Sequence, residues 1–193
     1  MKKYIYGCLA LITMLSCKKS QDDVFYAILD DNFLTLTDTI AYEYHTFFLT
    51  PNDTTKPDKN TFDGYKICID RKFAESKEFR NGVVEVLKTG NYKEYLKLLH
   101  EQPNFELKLI DLNRLKQTGK YEIVDFINYK MDRISRTKYV GILKFYKPYI
   151  NDHHAIIFFL KQSSPKDGVV NAFLFHKVNN KWQLEKKIEL MRI

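Results

Sequence analysis

The chain has 193 residues, 45% of them hydrophobic and 28% charged, with 14 Phe and 13 Tyr against a single Trp. That length fits one domain with a short extension, and that apolar and aromatic load excludes global disorder. A formal net charge of +7 favours anionic partners, of which an exported chain meets lipid and glycan rather than nucleic acid.

The N-terminus reads as an export signal. Lys2 and Lys3 precede an apolar stretch, Ile5 to Leu15, shorter than the ~20 residues that span a bilayer. The stretch ends at Met14-Leu15-Ser16-Cys17. These four residues resemble the bacterial lipobox, in which the cysteine thiol is acylated and the chain is cut just before it. The resemblance implies a signal peptide over 1–16, a lipidated Cys17 carrying palmitate-type chains, a tether over 17–23 and a single domain over 24–193. Gln21-Asp22-Asp23 resembles the acidic signal that sends lipoproteins to the outer membrane surface in some Gram-negative lineages; the periplasmic face is the alternative. Cys8 would leave with the signal and Cys17 would be a thioether, so Cys68 would remain as a lone thiol. An unprocessed Cys17 would instead allow a Cys17–Cys68 bridge.

Along the mature chain, Phe25, Ile28, Leu29 and Phe33 fall at helical spacing behind acidic residues, which predicts a short helix ending near Asp31-Asn32. Thr39 to Leu49 changes period: Ile40, Tyr42, Tyr44 and Phe48 alternate with Glu43 and His45, which predicts a strand. Pro51 to Thr61 is polar and reads as a loop. Tyr65, Ile67 and Ile69 alternate as a second strand. Arg71 to Gln102 reads as helical, with Asp70 as a cap, a break at Asn81-Gly82, a stop at Thr89-Gly90 and a restart capped by Asn91. Phe105 to Ile110 is a strand candidate, Asp111 to Lys116 a helical turn, and Tyr121 and Ile123 begin another extended stretch. Four apolar or alternating runs then follow, at 139–146, 155–161, 169–178 and 182–190, the last two joined by Asn179-Asn180, a tight hairpin turn. The fold class predicted is α+β: an antiparallel sheet, made of a C-terminal four-strand meander plus N-terminal strands, with helices packed on one face.

No catalytic set assembles from spacing. His153-His154 would point to opposite faces of a strand and lacks a third ligand, so it predicts no metal site. Cys68, between Ile67 and Ile69, reads as a buried or edge thiol rather than a nucleophile, and neither a phosphate-cradling loop nor a dinucleotide fingerprint occurs, so no cofactor is predicted. Trp182, directly after the hairpin turn, reads as a core plug. Thr54, in Asp53-Thr54-Thr55, resembles a short O-glycosylation acceptor pattern.

Residues 139–191, from Val140-Gly141-Ile142 through Lys147-Pro148 and Ala155-Ile156-Ile157 to Asn180-Lys181-Trp182, resemble the C-terminal part of small bacterial lipoproteins. That resemblance implies fold and location and carries no activity. The function expected is a membrane-anchored, non-enzymatic binding or accessory role in the cell envelope, with an envelope protein, lipid or glycan as partner. The alternative is a small enzyme or ligand-binding domain whose cone-shaped pocket is lined by Tyr42, Tyr44, His45 and Tyr65.

Overall fold

A computed structural model of the chain describes residues 20–48, 66–101, 105–119, 121–128, 139–164 and 167–193; in 38–48, 139, 140, 163, 164 and 167 it describes the backbone alone. Among the described residues three α-helices, α1 (Gln21–Phe48), α2 (Arg80–Lys88) and α3 (Lys93–His100), accompany seven strands: β1 (Lys66–Ala74), β2 (Glu122–Asp125), β3 (Tyr139–Tyr146), β4 (Tyr149–Ile150), β5 (His154–Ser164), β6 (Asp167–Val178) and β7 (Lys181–Arg192). The strands form one sheet in the order β2-β1-β3-β5-β6-β7, with β4 paired to β5. The class is α+β, and the sheet is mixed.

The C-terminal meander is present as its alternation predicts. β3, β5, β6 and β7 pair antiparallel in sequence order. Asn179 and Asn180 turn the last hairpin with φ of 49° and 64°, the left-handed values that asparagine tolerates best after glycine. The other half of the sheet is not antiparallel. β1 lies between β2 and β3 and runs parallel to both. Parallel neighbours need a long crossover, and the segment holding α2 and α3 supplies one between β1 and β2.

That crossover also explains why the helices cover both faces rather than one. Alternate residues of β5 go to opposite cores. Ala155, Ile157 and Phe159 join Phe25, Ile28, Leu29, Phe33 and Leu36 of α1. Ile156, Phe158 and Leu160 join Val83 and Leu87 of α2 and Tyr95, Leu98 and Leu99 of α3. The many phenylalanines build the α1 core. Phe145, Phe159, Phe173 and Phe175 stack in a line across β3, β5 and β6, at centroid spacings of 5.4, 5.2 and 6.4 Å. Phe25 meets Phe73, Phe105 and Phe145 edge-on. Each fully buried phenylalanine contributes about 1.5–3 kcal/mol of transfer free energy. Trp182 is buried in the same core, as its place after the turn predicts.

Several local expectations are corrected. The segment from Thr39 to Phe48 is the continuation of a 28-residue helix, not a strand. A short alternating window fits either period, and here the helix begun at Gln21 propagates through it. Asp70 to Phe73 belong to β1, with Phe73 packed on the α1 core, so Asp70 caps no helix. Asn81-Gly82 sit inside α2, and Tyr92 rather than Asn91 occupies the cap position of α3. Phe105 to Ile110 makes only a single bridge, Leu109 to Lys72. The turn at Asp111 is present as a 3₁₀ segment, Leu112–Arg114, capped by the Asp111 carboxylate.

Candidate functional site

The carboxyl ends of β1 and β2 carry a groove of about 640 Å³. Its polar wall is Asp70, Arg71, Lys72 and Asp125, and its apolar wall is Leu109, Phe126 and Ile127. Ligands of open α/β sheets collect at such strand ends. Arg71, Asp125 and Asp70 are held in ion pairs, while Lys72 is exposed. Arg71 Nη1 lies 3.3 Å from Asp125 Oδ2, and Arg71 Nε donates to the Ile110 carbonyl at 2.7 Å. Lys144 Nζ stands 3.9 Å from Asp70 Oδ2. Carboxylates held in ion pairs suit docking better than proton transfer, which needs a group poised to exchange. The apolar wall is open to solvent: Ile127 is 85% exposed, Leu109 45% and Phe126 44%.

The loop that supplies Leu109 is fastened to the start of α1. Ser20 and Asp23 cap that helix reciprocally: the Asp23 N–H donates to Ser20 Oγ at 3.2 Å and Ser20 Oγ donates to Asp23 Oδ2 at 2.9 Å. Arg114 then reaches Asp23 Oδ1 at 2.8 Å and lies over the Tyr26 ring, while the Asp111 N–H donates to Tyr26 Oη at 2.7 Å. The Gln21 amide donates to the Ile150 carbonyl, just past the carboxyl end of β3. Helix start and groove therefore share one end of the sheet.

A second constellation lies on the opposite face. In β7, Lys186 pairs with Leu174 and Leu184 with Phe175, so Glu185 is the extra residue of a β-bulge. A bulge re-aims its side chain, and here the carboxylate accepts the Tyr95 hydroxyl at 2.6 Å. His176 Nδ1 lies 3.4 Å from the same oxygen without forming a hydrogen bond. His154, the cross-strand neighbour of His176, meets the Tyr95 ring edge-on at 5.1 Å. Burial, then the Glu185 bond and charge, push the Tyr95 hydroxyl far above its usual range. Burial likewise holds His154 below the usual histidine value. A tyrosine so reluctant to ionise, bound to a carboxylate, fastens α3 to the sheet and moves no proton near neutrality. Spacing in the sequence gives no hint of this quartet, whose members come from one helix and three strands.

Cys68 is a free thiol, fully buried in β1. Burial first, then the Asp125 and Asp70 carboxylates, push its pKa up to about 12, so it stays a thiol at neutral pH. The backbone N–H groups of His153 and His154 both donate to Asn151 Oδ1, which makes the pair part of a turn. Among the described residues no group of three His, Cys, Asp or Glu is placed to hold a metal ion. Tyr42, Tyr44 and His45 fall in α1 rather than in a strand. Their side chains, and Cys17, Thr54 and Tyr65, lie outside the described residues. No described helix is long and apolar enough to cross a membrane.

Comparison of the chain with protein-family models, with curated proteins and with solved structures yields no match.

Proposed function

We propose that the chain is a lipid-anchored protein of the bacterial cell envelope, held in the outer membrane through Cys17, with a non-enzymatic binding or accessory role. The observation that carries this reading is the run Met14-Leu15-Ser16-Cys17 standing three residues ahead of Ser20, the cap of the first helix. A tether of that length leaves the domain complete and close to the lipid. Two features support binding over catalysis. The groove's carboxylates are held in ion pairs, and the buried titratable groups, Cys68 and Tyr95, are shifted away from neutral-pH chemistry.

Intact mass of the detergent-extracted protein, expressed in a host that processes lipoproteins, tests the anchor. Cleavage after Ser16 with acyl chains on Cys17 is the expected result, and Cys17→Ser should release the protein from the membrane fraction. An unmodified Cys17, or cleavage elsewhere, refutes the anchor. Steady turnover of any substrate that depends on one groove residue refutes the non-enzymatic assignment.

A further inference from the structure

We propose that the occupant of the β1–β2 groove is the bilayer surface itself: Leu109, Phe126 and Ile127 form a second membrane contact beside the lipid anchor. The inference rests on the lipid-anchored reading and names the partner for that same groove.

Three observations converge on it. The first is position. From Cys17 to Ser20 the chain spans three residues, at most ~11 Å when fully extended, so the start of α1 is held near the headgroups. Gln21 is tied to Ile150 past the end of β3, and the groove opens at the ends of β1 and β2, so the tether and the groove share one end of the sheet.

The second is rigidity of the connection. Asp23 holds Arg114, and Tyr26 holds Asp111. The Ile110 N–H donates to the Arg71 carbonyl at 2.9 Å, and Arg71 in turn holds Asp125. Leu109 sits inside this chain of bonds, and Phe126 directly follows Asp125. The patch cannot swing away from the tether without breaking them.

The third is chemistry. An isoleucine that is 85% exposed beside two half-exposed large apolar groups is the composition of an interfacial contact. Exposed Lys72 and Lys108 flank Leu109, across the bridge and next in sequence, and suit anionic headgroups. Asp70 and Asp125 carry cationic neighbours in Lys144 and Arg71, and Glu106 is the exposed acid nearest in sequence to Lys108.

The test uses the processed full chain in vesicles of equal parts phosphatidylethanolamine and phosphatidylglycerol. Ile127→Trp adds a reporter at an exposed position, and the wild type, whose single Trp182 is buried, gives the baseline. The added emission should shift to the blue and fall at least twofold when the lipids are brominated high on their acyl chains. Hydrogen exchange on the wild-type protein should slow at 107–110 and 125–128 in vesicles relative to detergent. A reporter that stays at the water-exposed wavelength without quenching, on protein whose mass shows acylated Cys17, overturns the proposal and leaves the anchor intact. Protection that appears only when envelope proteins are added, and not with lipid alone, assigns the groove to a protein and also overturns it. An unmodified Cys17 removes the anchor and the inference together.

Discussion

Replacing Asn171 by leucine should stabilise the protein, although Asn171 is a fully buried core residue. It lies on β6 between Phe159 and Glu189, and neither its Nδ2 nor its Oδ1 has a hydrogen-bond partner. Burial of an amide without compensation costs ~1–3 kcal/mol in protein mutational data. Leucine keeps the same branched skeleton with bulkier methyl ends and adds apolar contact on the Phe159 side, so after the cost of fitting the larger side chain a net gain of ~1–2 kcal/mol is expected. For a domain of this size that raises the melting temperature by roughly 3–6 °C. Asn32→Leu is the control with the opposite sign. Asn32 is also buried, but its Nδ2 donates to the Ile28 carbonyl at 3.1 Å and the Trp182 carbonyl at 2.9 Å. Its loss strands the Trp182 carbonyl and should cost ~1–3 kcal/mol. Urea denaturation followed by Trp182 fluorescence and by circular dichroism measures both, with unchanged m-values. An Asn171→Leu midpoint that drops as far as that of Asn32→Leu refutes the reasoning, because the amide would then be satisfied.

Cys68 should resist thiol reagents in the native state at pH 8 and react at once on unfolding; native reactivity comparable to a free thiol contradicts its burial. The folded pKa of Cys68 is raised from 9.0, and that of Tyr95 from 10.0, so their stabilising contribution is complete below about pH 9 and is lost as pH rises toward 12. Urea midpoints should therefore fall between pH 8 and pH 11, and a flat profile counts against both placements. His154 has the reverse sign: its folded pKa lies below 6.5, so its contribution is complete above pH 6.5 and is lost as pH falls, which a proton titration of its ring signal reads directly. Asn180→Ala removes the short polar side chain that eases the left-handed conformation at φ 64° and should cost ~1 kcal/mol, whereas Asn180→Gly should fold with little loss.

The parts of the fold that were legible in the sequence are those whose information is local. Ala155 to Leu160 is apolar at every position because both faces of β5 are buried, and Asn179-Asn180 names its own turn. The same two-sided burial, visible in that unbroken run, is the signal that helices cover both faces. The parallel pairing of β1 was not legible, since no residue of Lys66–Ala74 encodes whether β2 and β3 arrive in the same direction. Tyr42 and Tyr44 misled because a short alternating window satisfies either period and the helix is decided upstream, by the Ser20–Asp23 cap and the face from Phe25 to Leu36. The groove was invisible for a different reason. Asp70, Leu109 and Ile127 are brought together by a crossover that no spacing rule describes.

The clamp between α1 and the last hairpin sets an order on assembly. Asn32 holds the Trp182 carbonyl and Asp31 Oδ2 accepts the Trp182 N–H, across 150 and 151 residues. The most N-terminal of the described helices thus has its seat built partly from the most C-terminal of the described strands. Until β7 is in place, the apolar face of α1 lacks the Trp182 contacts that complete its core. Contacts of such long range close slowly. The seat of α1 is therefore completed only when the last hairpin closes.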